Sequence, residues 1–394
     1  MNNGHYVFSQ IVKFLPKRYF ERLVAKYPDR TGKWSFTHWN HLLVLIFGQL
    51  ASCRSLRELV DVLVAHYKKS YFLGMGAEVV KRSTLSLANN LRDYRIFEEF
   101  SQHMVKLAQK ARIDKEFDLY GKFYAFDSSI VRLCLTLFPW AKYRTEKRGI
   151  KLHTQLDMVT QIPVFYHITN AAVHDVNAMD LISYERMGTY VFDRGYWDLE
   201  RLFKINLLGA FFVIRGKGAP TFEITAGEDL LEGDDDVRQD VTVRFTRKSN
   251  RDKYPAEIRR IVYYAREQKK YYVYYTNCFH LVAKDIALLY KYRWLVEIFF
   301  KWIKQHLKVK TFWGNSENAV RIQIYVAIST YCAVAIMEKE LNLHRSIYEV
   351  LRILGNSLLT KDNVKDLFVK SDGETSKTLT YYDDYIEQLE LEFE

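Results

Sequence analysis

Residues 288–310 read LLYKYRWLVEIFFKWIKQHLKVK, a stretch that combines many apolar and aromatic residues with several basic ones and a single acid. Its apolar residues recur at helical spacing, so the sequence predicts one α-helix here. At about 100° per residue, a sector of about 60° on that helix collects Tyr290, Arg293, Glu297 and Lys304, with Lys301 and Lys308 in or beside it. Burying one carboxylate with several cationic side chains costs free energy, so core packing alone does not favour this arrangement. It suits a site that holds a metal ion beside a phosphodiester.

The alternative interpretation is an ordinary amphipathic helix whose basic face is solvated. The other positions of the helix are largely apolar or aromatic, namely Trp294, Leu295, Ile298, Phe299, Trp302, Ile303 and Leu307. Because most of the circumference must then pack against other elements, little of it is left for a plain wet surface. The pattern therefore favours a functional stripe.

Two upstream aspartates supply further acids. Asp127 and Asp193 each follow an apolar β-like run, and we expect each strand to end at its aspartate. Taken singly, an aspartate at a strand end is more often a turn former. If the two strands are neighbours, however, both carboxylates meet at one edge of the sheet, where Glu297 completes a trio. Three acids around one point require cations, and oxygen ligands favour two Mg²⁺ ions.

The composition indicates a globular protein with a polyanionic partner. The 394 residues are 48% hydrophobic and carry a formal net charge of +11, which favours nucleic acid or an anionic membrane surface. The 4 cysteines form no CxxC pair and give no sign of a disulfide framework or a zinc finger. The first residues lack signal-peptide features, and the longest apolar stretch, residues 42–51, is too short to span a bilayer. We therefore expect a cytoplasmic protein without a membrane partner.

Residues 1–112 are helical in pattern and rich in lysine and arginine. Ser35 and Ser55 are expected to cap two successive amphipathic helices, with Arg54 and Arg57 near the start of the second. Two short helices with a basic entrance resemble a helix-turn-helix, although any helical bundle gives the same pattern. The segment is expected to be a small α-helical DNA-binding domain.

Beyond residue 112 the pattern changes to short β-like runs. A strand ending at Asp127 and strands over 131–138, 151–159 and 163–173 precede a helix that Asp175 is expected to cap. Strands and helices then alternate, which is the order of an α/β, ribonuclease-H-like mixed sheet. The predicted domains are the helical DNA-binding domain 1–112, the ribonuclease-H-like catalytic domain 113–215 and 270–345, a β-rich insertion 216–269, and a C-terminal helical and acidic tail 346–394.

The order FDSS, DRGY and Y-x2-R-x3-E-x6-K resembles the DDE transposases of bacterial insertion sequences, specifically the insertion sequence 4 family with its YREK signature. The signature spacing is met without a gap by Tyr290, Arg293, Glu297 and Lys304. The stretch between the family's first two aspartates is also similar to KLHTQLD and ITNAAVHD, which contain His153, His174 and Asp175. Both histidines are more simply interpreted as packed or capping residues of the sheet than as direct catalytic residues. The resemblance covers about residues 117–310.

This resemblance implies cut-and-paste transposition by a two-metal mechanism. Asp127 would bridge two Mg²⁺ ions, for which Mn²⁺ can substitute, with Asp193 and Glu297 on opposite sides. The residues implied to bind DNA are Tyr290, Arg293, Lys301, Lys304, Lys308 and Arg194. The implied partners are double-stranded DNA, both the terminal inverted repeats and the target, and a second copy of the chain in a synaptic homodimer. The implied location is the bacterial cytoplasm, at the nucleoid.

Two other functions stay open. An inactive, domesticated DNA-binding protein could keep this fold, although the intact acidic trio argues against it. A ribonuclease-H-like nuclease could cut DNA without joining it. Related enzymes that form a DNA hairpin use a tryptophan of the insertion, and residues 216–269 contain none. Tyr263, Tyr264 or Trp197 would have to stack on the flipped base instead.

Overall fold

The structure is a computed structural model, and it describes residues 5–28, 35–113, 121–132, 149–218, 220–229, 236–266, 268–307 and 312–369. The chain divides into two compact units. The helical unit comprises residues 1–113, 132–142 and 301–394, and the sheet unit comprises residues 114–131 and 143–300.

The helical unit is built from α-helices at both ends of the chain. Their bounds are α1 Val7–Val12, α2 Lys17–Lys26, α3 His38–Leu50, α4 Leu56–Ala65, α5 Arg82–Leu91, α6 Tyr94–Ala111, α11 Glu317–Glu340 and α12 Ile347–Ser357. Short 3₁₀ helices cover Tyr67–Lys69 and Val364–Phe368. Ser55 is the N-cap of α4, as predicted, because its hydroxyl accepts from the Glu58 N–H. The prediction for Ser35 is wrong: Thr37 caps α3, and its hydroxyl accepts from the Asn40 N–H.

The core of the helical unit is α11, which packs mainly on α6 and α3. Within the described residues it is the one helix long and apolar enough to cross a membrane, but 94% of that window is buried inside the protein. Core packing therefore explains its composition. The helix falls within the predicted catalytic range 270–345, yet it belongs to the helical unit because its apolar surface is covered by helices from the N-terminal part.

The sheet unit contains a single mixed sheet among its described residues. The strands are β1 Lys122–Arg132, β2 Gly149–Asp157, β3 Ile162–Asn170, β4 Gly188–Phe192, β5 Phe211–Arg215, β6 Phe222–Asp229, β7 Val237–Phe245, β8 Ile258–Ala265 and β9 Lys270–Thr276. The helices are α7 Leu199–Leu207, α8 Lys248–Arg251, α9 Ala283–Tyr292 and α10 Trp294–Leu307, with 3₁₀ helices at Asp175–Leu181 and Arg194–Tyr196. α10 begins in the sheet unit, and its residues from Lys301 onward belong to the helical unit.

The strand order is β3-β2-β1-β4-β5-β9-β8-β7-β6. β1 and β5 both run parallel to β4, whereas β2–β3 and every pair from β5–β9 to β6–β7 are antiparallel. This arrangement confirms the predicted α/β class with a ribonuclease-H-like mixed sheet. The predicted β-rich stretch supplies β6 to β8, which extend the same sheet beyond β9.

The centre of the sheet is buried on both faces. All five residues of β4 are buried, as is typical of a central parallel strand, and they show no alternation of apolar and polar positions. The aromatic rings of Phe126 and Phe192, on neighbouring strands, lie 5.9 Å apart and pack with Tyr196. Leu202 and Ile205 of α7 belong to the same core. This packing fixes the strand ends on which the candidate site is built.

The structure corrects the predicted strand at Asp127. β1 does not end there but continues to Arg132. What ends is the pairing with β4, whose last paired position is Phe126 with Phe192. The carboxylate therefore lies where the ladder ends, although the strand goes on. The further strand predicted at 131–138 lies, apart from the end of β1, outside the described residues.

The prediction of an α-helix capped by Asp175 is wrong. Only a 3₁₀ helix over Asp175–Leu181 forms, and its N-cap position is His174. Asp175 does not cap it, because its carboxylate instead binds Ser128 and Lys151. The backbone returns to an extended conformation at Ile182, so the helix cannot continue.

Candidate active site

Asp127 and Asp193 are placed by the pairing of two parallel strands. Phe126 of β1 pairs with Phe192 of β4, and each aspartate is the next residue along its chain. Neighbouring strands lie about 4.8 Å apart, so the two aspartates leave the ladder side by side. Asp193 then precedes the 3₁₀ helix Arg194–Tyr196, which turns the chain away from the sheet. Two acids thus meet at the carboxyl edge of the sheet, as predicted from the sequence.

Arg293 joins the first aspartate to the glutamate. Its guanidinium lies 3.1 Å from Asp127 Oδ2 and 2.5 Å from Glu297 Oε1. The arginine is only 8% exposed, so this bridge is largely removed from water. A planar guanidinium can donate to two carboxylates at once, which an ammonium on a flexible stem does less well. Asp127 and Glu297 therefore face one common cation.

Asp193 is held by Tyr290. The tyrosine hydroxyl donates to Asp193 Oδ1 over 3.3 Å, and its ring packs on Tyr274 at 4.8 Å between centroids. The guanidinium carbon of Arg293 is 5.8 Å from the centre of the same ring. Burial, with Asp193 adding to it, raises the pKa of Tyr290, so the hydroxyl remains a donor at neutral pH. Tyr290 and Arg293 thus each position one side of the acidic trio.

The single helix predicted over residues 288–310 is in fact two helices, α9 and α10. Arg293 lies between them, and its N–H donates to Tyr290 O, three residues back, over 3.2 Å. The hydrogen bonding switches here to the tighter 3₁₀ pattern, which interrupts the α-helix. Across this break Arg293 still contacts Glu297, and its guanidinium carbon lies 5.8 Å from the centre of the Tyr290 ring. A joint role for Tyr290, Arg293, Glu297 and Lys304 stays a prediction.

The electrostatics of Asp127 follow from its surroundings. Burial raises the pKa of the Asp127 carboxyl to about 6, Arg293 opposes this, and the negative charges of Glu297 and Asp193 add to it. The site therefore carries more negative charge than one arginine compensates. Added positive charge would stabilise it.

A second polar network holds the other side of Asp127. Ser128 donates its backbone N–H to Asp127 Oδ1 over 2.7 Å and its hydroxyl to Asp175. Lys151 Nζ lies 2.8 Å from Asp175 Oδ1 and donates to Val173 O over 2.7 Å. Burial raises the pKa of Asp175, but the hydrogen bonds from Lys151 and Ser128 outweigh it and lower the pKa overall. The sequence did not predict a role for Lys151, which is buried, or for Ser128, which contacts Asp127 directly.

His153, which lies beside this network, is a packed residue. Its Nε2 is 2.9 Å from Thr169 Oγ1 on β3, and burial lowers its pKa to about 4. The ring is therefore neutral at physiological pH. This agrees with the simpler of the two interpretations of His153.

The predicted DNA-binding residues are placed differently from one another. Arg194 is exposed in the turn directly after Asp193. On α10, Lys301 is half-buried and Lys304 is exposed, whereas Lys308 lies outside the described residues. Their contacts with DNA stay a prediction. Trp197, one of the aromatic residues considered for base stacking, packs edge-on against Tyr275 at 4.9 Å.

The donor set of the site fits divalent cations. Carboxylate oxygens are the ligands that Mg²⁺ and Mn²⁺ prefer. In the described part of the chain, no three Asp, Glu, His or Cys side chains lie close enough together to hold one ion in the present rotamers. The Arg293 guanidinium lies between Asp127 and Glu297 and donates to both. A cation already stands at this point, so the position suits positive charge, and a metal ion would have to displace it.

Comparison with known proteins identifies a family for this chain. Residues 121–333 match the family described as "Transposase DDE domain", and the match contains Asp127, Asp193 and Glu297. The chain belongs to the transposase DDE domain family. Membership implies dependence on divalent metal ions in general. Residues 3–76, ahead of the transposase DDE domain, match a second family, the domain of unknown function DUF4372.

Several curated relatives of this chain carry transposase names. A Sinorhizobium fredii protein named transposase y4zB is 35% identical over 219 residues, 55% of this chain and 60% of its own length. A Geobacillus stearothermophilus protein, named for insertion sequence element IS5377, is 31% identical over 52% of this chain and 54% of its own length. A Synechocystis protein, named for element IS4SA, is 25% identical over 67% of this chain and 74% of its own. The chain thus spans little more than half the length of the first two relatives.

A solved chain titled as the piggyBac transposase synaptic complex with hairpin DNA aligns over 96% of this chain and 82% of its own. The TM-score is 0.46 and the sequence identity 12%, a likeness too distant to carry an argument.

Proposed function

We propose that this chain is a DNA transposase that moves an insertion sequence by cut-and-paste, and that it belongs to the insertion sequence 4 group with the YREK signature. The observation that carries the proposal is the common placement of three acids. Asp127 and Glu297 both contact the guanidinium of Arg293. Phe126 pairs with Phe192, and Asp127 and Asp193 are the next residues along their strands. Such an acidic trio suits phosphodiester cleavage at a sheet edge.

Asp127, Asp193 and Glu297 would hold two Mg²⁺ ions, with Mn²⁺ as a substitute. Bound there, the ions would lower the pKa of the attacking water or hydroxyl and stabilise the leaving oxygen. The protein's own part is to hold the carboxylates in place. Before the ions bind, Arg293 fixes two of them and Tyr290 fixes the third.

Phosphate binding is proposed for Arg194, Arg293, Lys301, Lys304 and Lys308, with Tyr290 beside them. Arg293 supports this assignment because its buried Nε has no hydrogen-bond acceptor among the described residues. Once a metal ion relieves its bridge, the guanidinium has donors for a phosphate oxygen. Arg194 is exposed and directly follows Asp193, so it is suited to bind a phosphate of a DNA strand at the proposed active site.

The proposed partners are double-stranded DNA and a second copy of the chain. The transposon ends, with their inverted repeats, and the target DNA would be bound in turn, which agrees with the formal charge of +11. Because two ends must be processed together, we propose a homodimer in the synaptic complex. The proposed location is the bacterial cytoplasm, at the nucleoid.

The test is a plasmid assay with the full chain. A supercoiled plasmid carrying the element with both of its ends is incubated with Mg²⁺, and excised and strand-transfer products are separated on gels. The proposal expects excision and, from labelled 3′-OH ends, joined product. Cleavage without joining would instead identify a nuclease. Binding without cleavage would identify an inactive DNA-binding protein.

A further inference from the structure

The segment that follows α4 in the helical unit is rigidly anchored. Ser70 within it, and Leu73 and Met75 directly after it, are buried. The Leu73 N–H donates to Lys69 O over 3.0 Å, and the Met75 N–H donates to Ser70 O over 3.1 Å. The backbone is therefore fixed by a series of tight turns. The exposed side chains of this segment therefore start from a fixed backbone.

Three large aromatic residues of this segment face solvent. Tyr67 is 55% exposed, Tyr71 70% and Phe72 61%. The rings of Tyr71 and Phe72 lie 5.7 Å apart, edge to face. Aromatic residues held out of the core at neighbouring positions mark an interaction surface rather than packing.

Lysines accompany these rings. Lys68 Nζ lies 5.9 Å from the centre of the Tyr67 ring. Lys361 Nζ lies 5.5 Å from the ring of Tyr6, which is itself 6.4 Å from the ring of Phe72. The run HYKKSYF, residues 66–72, contains no acid. Lysine is depleted from the cores of protein interfaces, so this combination fits nucleic acid better than a second protein surface.

The neighbouring helix α4 lacks these properties. It would be the recognition helix of the helix-turn-helix interpretation. Its exposed face carries Arg57 together with Glu58 and Asp61, so its charge does not favour phosphate. The DNA contact of this part of the chain is thus expected after α4 rather than on it.

We propose that residues 66–72, the post-α4 segment, form a binding surface for DNA whose bases are accessible, such as a single-stranded flank or a distorted end. Lys68 and Lys361 contact phosphates, while Tyr71 and Phe72 stack on bases. The segment lies within residues 3–76, which match DUF4372. DNA binding is thus the role proposed for this part of the DUF4372 match. The source of the DNA, a transposon end, rests on the proposed function.

The experiment measures anisotropy of a fluorescein-labelled, mixed-sequence single strand with the full chain in EDTA, where no cleavage occurs. The double variant Tyr71→Ala/Phe72→Ala is expected to bind about tenfold or more weakly, because each stacked base contributes substantially. The variant Tyr71→Trp/Phe72→Trp retains affinity. Lys68→Gln lowers the slope of log affinity against log salt by about 0.7, the share of one phosphate contact on a single strand.

Two controls match the double variant. Leu87 and Leu91 of α5 are 49% and 53% exposed in the same unit, and Leu87→Ala/Leu91→Ala should bind as the parent does. Arg57→Ala should lose far less affinity than the aromatic double variant. Parental affinity for Tyr71→Ala/Phe72→Ala, with a parental circular dichroism melt, overturns the proposal. So does a smaller mass in light scattering with unchanged DNA affinity, which assigns the surface to a second copy.

Failure here and failure of the proposed function are separable. If the parent cuts and joins plasmid DNA while Tyr71→Ala/Phe72→Ala keeps full affinity, only the surface is refuted. If the parent binds single strands through Tyr71 and Phe72 but never nicks, only the transposase activity is refuted.

Discussion

The Arg293 guanidinium lies 3.1 Å from Asp127 Oδ2, although 166 residues separate them in the sequence. The same guanidinium contacts Glu297, four residues further along the chain. One arginine therefore occupies the position that the proposed mechanism assigns to a divalent cation. Without metal it neutralises two carboxylates that are only partly buried.

Removing the arginine should destabilise the metal-free protein. Arg293→Ala leaves Asp127 and Glu297 facing each other without a cation, at an expected cost of about 2 kcal/mol in the free energy of unfolding, reduced because both carboxylates are partly exposed. Urea denaturation in EDTA measures this. Mg²⁺ should restore part of the loss in the variant and give less stabilisation to the parent. Equal stabilisation of both proteins by Mg²⁺ would contradict the idea that arginine and metal compete.

The three acids should be required for chemistry but not for binding. Asp127→Asn, Asp193→Asn and Glu297→Gln should each reduce Mg²⁺-dependent cleavage by roughly a thousandfold or more, because each removes a proposed ligand of the catalytic ions. DNA affinity in EDTA should stay near that of the parent. A variant that still cleaves at the parental rate would remove its residue from the site.

The raised pKa of Asp127 predicts a pH-dependent stability. Burial, the main cause, raises this pKa to about 6, whereas an aspartate in the unfolded chain titrates near pH 4. Between these values the folded state binds a proton that the unfolded state does not, so the ionised carboxylate costs stability above about pH 6 and the cost disappears on acidification.

The matching measurement compares Asp127→Asn with the parent by urea denaturation in EDTA. The variant's free energy of unfolding relative to the parent should rise as the pH rises from about 4 to about 7. A difference that stays constant over this range would show that Asp127 titrates normally.

The Ser128 and Asp175 side chains should act as one unit. Asp175→Asn leaves the buried Lys151 with a neutral partner, and we expect a loss of about 2 kcal/mol, reduced because the Asp175 carboxylate is partly exposed. Ser128→Ala added to this variant should cost little more. Fully additive losses in a double-mutant cycle would mean that the two residues are independent.

Packing in the helical unit gives a test that is independent of catalysis. A Cβ at Gly48 of α3 would lie 2.6 Å from Trp313 Cη2 and 2.9 Å from Leu59 Cδ2. Gly48→Ala should therefore lower the free energy of unfolding by about 1–3 kcal/mol through overpacking. At Gly195 the nearest atom to a built Cβ is 3.8 Å away, so Gly195→Ala is the control for stability. Equal melting of both variants would refute the close contact.

The sequence identified the acids because their signal is local. Asp127 and Asp193 each follow an apolar run, and parallel pairing converts that shared position into spatial proximity. Sheet class, Ser55 as a cap and the β-rich stretch were predictable for the same reason, since periodicity and capping depend on neighbouring residues. The assignment of α11 was not, because its partners α6 and α3 lie more than 200 residues away in the chain.

The parts that the sequence did not reveal depend on tertiary contacts. Nothing local distinguishes Asp175 as an N-cap from Asp175 as the partner of Lys151 and Ser128. No proline or glycine marks the break between α9 and α10 in the sequence. The break occurs at Arg293, the residue that forms the ion pairs. The sequence predicted Arg293 as a phosphate-binding residue. Its bridge between Asp127 and Glu297 forms only when the fold brings the sheet edge and the helix together.

The most direct test is a crystal structure of the full chain grown with Mn²⁺, using the anomalous signal of manganese to locate the ions. The account predicts a peak contacted by Asp127, Asp193 and Glu297, with the Arg293 guanidinium moved off its bridge. A structure in which Arg293 still joins Asp127 to Glu297 and manganese binds elsewhere, or nowhere, would contradict it.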